Sequence, residues 1–284
     1  MKKISLLYLF VILPAIASSH NVTLLSDDPN DLTLFNQTGS NDLASDTYRL
    51  LFARLSDINF ELEIAPSARI AALLKQDKTM CALNRIKTAQ RSLVNLYSYP
   101  IHLYPSHRLY YYQNNTPILP TMKTKQGALK DLSVLFARYP KAIIAVEQGR
   151  SYDKVIDEQL SQLAVENVVR RSGGDAYRAL IDMFSRQRVD FILTYPTVFK
   201  HYFNELDNTV SAIAIAKHPE FVAGHIACTD TRESRAIINK INQAMMSIYR
   251  QQEYLDIYFN HLPKSDHDLV TRRISDLFVR IKSN

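Results

Sequence analysis

Several polar side chains in this sequence are placed where they could hold a small molecule. Arg91 lies one helical turn after Thr88 on a short predicted helix, and its planar guanidinium can bind a carboxylate through two parallel hydrogen bonds. Thr88 can cap that helix, which is the simpler role, or donate to a ligand. Asn84 and Arg85 follow a predicted strand, where cleft residues gather. We therefore predict a site for a small polar ligand, with a surface position for Arg91 as the alternative.

A second group lies in a turn between a predicted strand and a predicted helix: Gly149, Arg150, Ser151 and Tyr152. The unpaired N–H groups of a helix's first turn carry the positive end of its dipole, so an anionic group could dock there. A glycine turn with a serine cap and no ligand is the alternative. Arg69, near the start of another predicted helix, either points into the cleft or pairs with Glu63.

Catalytic and metal-binding patterns are scarce in the sequence. It has no His-Glu-x-x-His zinc motif, no Gly-x-Ser-x-Gly elbow and no phosphate-binding Gly-x-x-x-x-Gly-Lys loop, and its 8 His are scattered. We predict no catalytic residue, no metal and no cofactor. The net charge of +6 comes from basic residues that alternate with acidic ones, so we expect no nucleic-acid partner.

The N-terminal segment has the features of a secretory signal peptide. Lys2 and Lys3 precede an apolar run from Ile4 to Ile12, and a small-residue cleavage site ends at Ala17. This run is shorter than the roughly 20 apolar residues of a membrane span. We expect residues 1–17 to be removed and the protein to be exported to the periplasm, with an uncleaved anchor as the alternative.

The sequence contains 2 cysteines, Cys81 and Cys228. An exported protein meets an oxidising compartment, where such a pair can form a disulfide. We predict that bond, with two buried free thiols as the alternative.

Hydrophobic periodicity predicts alternating strands and helices that would position these residues. The first part contains strands at 22–25, 59–64 and 80–83 and helices at 46–55 and 67–74. The second contains helices at 128–138, 152–163, 175–186 and 197–203 and strands at 142–146, 167–170, 191–194 and 210–216. A strand at 221–227 and a helix at 234–249 follow, with further helix to the C-terminus.

This order predicts an α/β protein with two lobes and a ligand cleft between them. Extended segments at 98–112 and 221–227 would cross between the lobes as a hinge. We place lobe 1 at 21–107 plus 223–284 and lobe 2 at 108–222. The C-terminal helices are expected to pack on lobe 1, and the protein to be a monomer.

Two short motifs resemble the signature of extracellular solute-binding proteins of family 3. They are Thr88-Ala89-Gln90-Arg91 and Tyr97-Ser98-Tyr99-Pro100, similar to that family's Thr-x-Glu-Arg and Phe-Ser-x-Pro-Tyr. The segments Val146 to Tyr152 and Arg188 to Phe191 resemble its second-lobe motifs. The resemblance runs from about Val22 to Phe259. It implies a type II periplasmic-binding fold and a small polar, carboxylate-bearing solute whose carboxylate is bound by Arg91. It also implies a stand-alone solute binder without an attached transporter or enzyme domain, and an ABC transporter or membrane sensor as partner.

One position departs from that family. Tyr195 stands where amino-acid binders have an aspartate for the ligand ammonium, and a phenol cannot replace a carboxylate as counter-charge. The departure argues against an ordinary α-amino acid and favours an acidic, aromatic or nucleotide-like ligand. A cyclic-acid dehydratase on the same fold is the enzyme alternative; its best carboxylate would be Glu147, expected to be solvated at a strand end. A third reading is a protein that binds no solute and contacts only another protein.

Overall fold

The structure is a computed structural model that describes residues 20–35, 42–173, 175–203, 209–262 and 264–283. The predicted signal peptide lies outside them. The strands are β1 (His20–Ser26), β2 (Ile58–Ile64), β3 (Met80–Arg85), β4 (Asn95–Tyr97), β5 (His102–Pro105), β6 (Arg108–Tyr112), β7 (Ile144–Glu147), β8 (Val168–Arg171), β9 (Phe191–Thr194), β10 (Val210–Ile213) and β11 (Phe221–Thr229). The helices are α1 (Leu43–Phe52), α2 (Ser67–Leu73), α3 (Leu132–Arg138), α4 (Lys154–Ser161), α5 (Ala176–Ser185), α6 (Pro196–Tyr202), α7 (Arg232–Ile248), α8 (Gln252–His261) and α9 (His267–Lys282).

The first sheet has the order β2-β1-β3-β11-β4. β1 pairs in parallel with β2 and β3, whereas β11 runs antiparallel to β3 and β4. The helical connections α1 and α2 link the three parallel strands, as parallel pairing requires. Leu24, Tyr48, Tyr254 and Tyr258 are completely buried in the core of this half.

The second sheet has the order β10-β6-β9-β7-β8. β7 is parallel to β8 and β9, and β6 is antiparallel to β9 and β10. Its central strands are short apolar runs buried on both faces, which is typical of a sheet covered by helices. Leu132 and Ile144 lie in the core on one face, and Phe184 and Ile192 in the core on the other.

Two antiparallel strands connect the halves. β5 pairs with the first part of β11, from Phe221 opposite Pro105 to Gly224 opposite His102. The chain enters the second sheet at β6, directly after β5, and returns through β11. The predicted two-lobed α/β architecture with two hinge crossings is confirmed, whereas the exact lobe boundaries stay a prediction.

The helix predicted at 128–138 is shorter than expected. Leu129 is instead extended, because its N–H donates to the carbonyl of Ala214 and its own carbonyl accepts from Ala216, both at 2.8 Å. α3 begins only after Asp131, whose carboxylate accepts from the N–H of Val134 at 3.1 Å as an N-cap. The last strand predicted at 210–216 accordingly ends at Ile213. Long-range pairing of Leu129 therefore overrides its helical periodicity.

Cys81 and Cys228 form a disulfide between β3 and β11. The two residues are opposite each other in the antiparallel register, and both are completely buried. The predicted bond is therefore present. Over the described parts of the chain, no helix combines the length and apolar character that a membrane crossing needs.

Candidate functional site

A cavity of about 760 Å³ lies between the two halves. The segment after β1, the start of α1 and the end of β3 form its wall on the first half, and Tyr195 and α6 form its wall on the second. Carboxyl ends of parallel strands meet at such a cleft in open α/β folds. Asn84 and Tyr195 are the two predicted site residues that line this cavity.

The segment after β1 brings acidic groups to the cavity. Asp28 accepts from the N–H of Asn30 at 2.9 Å, and Asp31 accepts from the hydroxyl of Ser26 at 2.5 Å. Burial and neighbouring carboxylates raise the pKa of Asp28 to about 6 and that of Asp31 to about 8. Neither has a basic partner among the described residues, so part of this acidic group is protonated near neutral pH.

Tyrosine rings form much of the remaining wall. Tyr104 and Tyr195 pack with ring centroids 4.9 Å apart, and Tyr195 also lies over His107 at 3.9 Å. Tyr104 is 7% exposed and Tyr195 3%, yet within the described chain neither hydroxyl has a hydrogen-bond partner. Burial raises the pKa of both phenols, which are therefore neutral. They offer flat rings and unused hydroxyl groups to a ligand.

A buried ion network behind the cavity joins the two halves. Asp27, which follows β1, accepts from Arg85 at 3.3 Å and from Arg150 at 3.0 Å. Arg150 also pairs with Glu147 and donates to the Tyr177 hydroxyl at 2.9 Å. Burial alone would raise the pKa of Asp27, but Arg150 and Arg85 outweigh it and hold the pKa below the usual carboxyl value. The two guanidiniums are thus neutralised by the protein itself.

Glu147 differs from the prediction of a solvated carboxylate. It is 2% exposed and paired with Arg150. Its pKa is raised, chiefly by burial. It does not line the cavity, because β7 ends behind Arg150 and the Tyr152 hydroxyl holds the N–H of Glu147 at 2.9 Å.

Arg91 reaches across to the second half but not to the cavity. Its guanidinium donates to the carbonyl of Ile86 at 3.2 Å and to that of Gly149 at 2.9 Å. Thr88 accepts from the N–H of Arg91 at 3.2 Å, which is the capping role. Burial and the nearby Arg85 lower the pKa of Arg91. Ligand binding by Arg91 and Thr88 stays a prediction, since the structure uses both in contacts within the protein.

Of the other predicted positions, Ser151 and Tyr152 make hydrogen bonds within the second half, whereas Arg69 does not. Ser151 donates to Asp157 at 2.5 Å, and the N–H of Tyr152 donates to the same carboxylate at 2.8 Å. These bonds explain why α4 begins at Lys154 rather than at residue 152. Arg69 is exposed on α2 and makes no ion pair with Glu63. It does not line the cavity either.

Gly149 lies at a close approach between the two halves. Its φ of +83° is the left-handed region, and a Cβ added there would lie 2.9 Å from the Cα of Ala68 in α2. Only a residue without a side chain fits both the turn and the contact.

We expect Gly149→Ala to weaken the closed arrangement. The matched control is Gly127→Ala, since Gly127 has a φ of +84° but nothing within 4 Å of an added Cβ. The control loses about 1–2 kcal/mol of stability from backbone strain alone. Gly149→Ala should lose more, and its radius of gyration by small-angle scattering should rise. Equal losses and unchanged radii in the two variants would contradict a role in closure.

Sequence reasoning missed the acidic and aromatic lining. Asp28 and Asp31 follow the first strand of the sheet, and the rule that pointed to Asn84 at the end of β3 applies equally to them. Tyr104 belongs to a hinge strand, and its position at the cavity depends on the pairing of β5 with β11. The position of the two aspartates after a strand could have indicated them, whereas no local sequence pattern indicated Tyr104.

The fold is the two-lobed fold of type II periplasmic solute-binding proteins. The chain is similar to an ancestral arginine-binding protein bound to arginine, with 15% identity and a TM-score of 0.60, covering 86% of this chain and 98% of that one. It is also similar to an ABC uptake transporter substrate-binding protein from Streptococcus pneumoniae with bound histidine, with 14% identity and a TM-score of 0.60, over 85% and 92%.

A histidine kinase sensor domain with similarity to periplasmic binding proteins has the same fold. It is 10% identical with a TM-score of 0.61, over 86% of this chain and 96% of that one. These solved structures are solute-binding proteins and a related sensor domain, which confirms the expected fold class. No protein-family model matches the sequence, and no curated protein sequence matches it.

Proposed function

We propose that this protein is an exported, monomeric solute-binding protein that closes its two lobes around a small polar molecule. The observation that carries the proposal is the cavity of about 760 Å³ at the interlobe cleft, walled by both halves and joined by two hinge strands. Cavities of this size hold small ligands, and two crossing strands allow hinge closure.

The carboxylate expected to act in a dehydratase does not lie at the cavity. An enzyme of the dehydratase type needs a general acid within reach of its substrate. Glu147, the carboxylate considered for that role, is paired with Arg150 and lies outside the cavity lining. The partner would be a membrane transporter or a membrane sensor that recognises the closed form, in the periplasm.

The test is native mass spectrometry of the mature protein isolated from the periplasm of an expression host, followed by a thermal-shift screen of small polar solutes. We expect a co-purified small molecule or a ligand-dependent rise in melting temperature without turnover. A tightly bound ligand at 100 times its Kd adds about 2.7 kcal/mol of stability.

Two tryptophan variants locate the binding. Thr197→Trp obstructs the interlobe cavity and should abolish the shift. Ala236→Trp obstructs a separate cavity of about 460 Å³ on the first half and should leave the shift intact. Turnover of prephenate-like acids would support the enzyme instead, and no response to any solute would reject the binding function.

A further inference from the structure

Arginine side chains of the cleft region are already engaged by the protein. Arg85 and Arg150 share the carboxylate of Asp27, and Arg150 has Glu147 as a second partner. Arg91 donates to two backbone carbonyls. None of the three arginines lines the cavity, although Asp27, the partner of Arg85 and Arg150, does. Among the residues that the structure describes, a ligand carboxylate therefore finds no unpaired guanidinium in the cavity.

The charge that faces the cavity is instead predominantly negative. Asp28, Asp31 and Asp42 line it, against one exposed lysine, Lys200. Asp42 is the N-cap of α1 and accepts from Ser45, whereas within the described residues the carboxylates of Asp28 and Asp31 each accept a single neutral hydrogen bond. Ionised carboxylates shielded from water are costly unless a cation pairs with them, and without one they take up a proton instead.

A second feature points to a ligand independently of the acids. Tyr104 and Tyr195 are more than nine-tenths buried in the cavity wall, and no described residue satisfies their hydroxyl groups. Tyrosine faces attract organic cations, and their hydroxyls can accept from an ammonium or guanidinium N–H.

We infer that the solute is a net-cationic amine or guanidinium compound that does not depend on a carboxylate, held by Asp28 and Asp31 against the rings of Tyr104 and Tyr195. This inference rests on the proposed function and names its ligand class. It replaces the carboxylate-bearing ligand expected from sequence. Within the described residues, no cluster of three or more His, Cys, Asp or Glu side chains could hold a metal ion, which favours an organic cation.

The test compares three probes of similar length by calorimetry. They are 4-aminobutylguanidine, which carries two cations, 4-guanidinobutanoate, which replaces its amine by a carboxylate, and glutarate, which carries two carboxylates. We expect the first to bind most tightly and glutarate not to bind. Tighter binding of either carboxylate-bearing probe would overturn the inference.

Variants assign the binding to the two aspartates. The double variant Asp28→Asn, Asp31→Asn removes both charges while keeping side-chain size, and we expect it to bind 4-aminobutylguanidine roughly tenfold to a hundredfold more weakly. Asp182→Asn on the exposed face of α5 is the control and should bind normally. The double variant relieves like-charge repulsion, so it should fold. Unchanged binding in the double variant would contradict the assignment.

The pH dependence gives an independent readout. The titratable and charged groups that face the two carboxylates are Asp27, Asp42, Tyr48, Asp175, Lys200, Tyr202 and His261. A cation binds the ionised carboxylates, so binding should release protons and strengthen as pH rises from about 6 to about 8, where Asp28 and Asp31 titrate. Proton uptake on binding would refute a cationic ligand.

The outcomes separate this inference from the function on which it rests. If neutral or anionic solutes bind in the cavity and Thr197→Trp abolishes that binding, the protein is a solute binder and the cationic class is wrong. If calcium or magnesium alone raises the melting temperature and a chelator reverses it, the ligand is a metal ion and the organic cation is wrong. If no solute of any charge binds, the proposed function fails and the inference fails with it.

Discussion

Replacing Asp27 with asparagine should lower the free energy of unfolding by about 3–5 kcal/mol, because it leaves two buried guanidiniums without their shared counter-charge. Arg85 is 4% exposed, and the side chain of Arg150 is 8% exposed. Glu147 still neutralises part of the charge of Arg150. Among the described residues, Arg85 retains one neutral partner, Ser67 at 3.0 Å.

The pH dependence of this loss has a defined sign. Because the pKa of Asp27 is held below its ordinary value of 3.8, its ionisation contributes stability that is present above that value and disappears as pH falls through the lower, folded-state pKa. The difference between Asp27→Asn and the parent protein should therefore be full at pH 7 and shrink in acid.

The control for this variant is Asp230→Asn. Asp230 pairs with Arg235 on the surface, where the two side chains are 45% and 61% exposed, and exposed pairs contribute about 0–1 kcal/mol. Urea unfolding at pH 7 measures both variants. Equal, small losses would show that the buried network adds no more than a surface pair.

The network also bears on how the lobes close. Asp27 belongs to the first half and Arg150 to the second, and Arg91 bonds to the carbonyl of Gly149 across the same gap. Contacts within the protein therefore hold the closed arrangement. A ligand stabilises it further to the extent that it binds the closed state more tightly than the open state. Asp27→Asn should accordingly expand the protein in small-angle scattering as well as destabilise it.

The fold could be predicted from sequence because its signals are local. Period-2 and helical patterns located the elements of both halves, and the alternation of strands and helices implied two lobes. The error at Leu129 arose where a partner more than 80 residues away, Ala214, determined the backbone conformation. Local pattern could not contain that information.

The site was predicted less well than the fold, and the reason is electrostatic pairing. Arg85 and Arg150 have the residue type and location of carboxylate ligands, but which carboxylate they bind is decided by contacts 58 and 123 residues apart along the chain. A strand-end position predicts that a side chain is near the cleft. It does not predict whether its charge is already neutralised, and the cationic ligand class that we infer rests on that neutralisation.

Reducing the Cys81–Cys228 disulfide should cost about 5 kcal/mol of stability, because the bond closes a loop between residues 147 positions apart and so restricts the unfolded chain strongly. The bond joins the return strand β11 to β3 in the first sheet. The second half is inserted between these strands, so the loop contains all of its sheet. By the usual scaling for domains of 150–250 residues, the melting temperature should fall by about 10–20 °C.

Thermal unfolding with and without a phosphine reductant measures this effect by comparing the oxidised and reduced forms of the same protein. The matched control is the double variant Cys81→Ala, Cys228→Ala, which should not respond to the reductant. It should melt no higher than the reduced parent, because both cysteines are completely buried and the substitutions leave small cavities. Equal melting temperatures for the oxidised and reduced parent would show that the disulfide adds no stability. The pairing of β3 with β11 would then be sufficient to hold β11 in the first sheet.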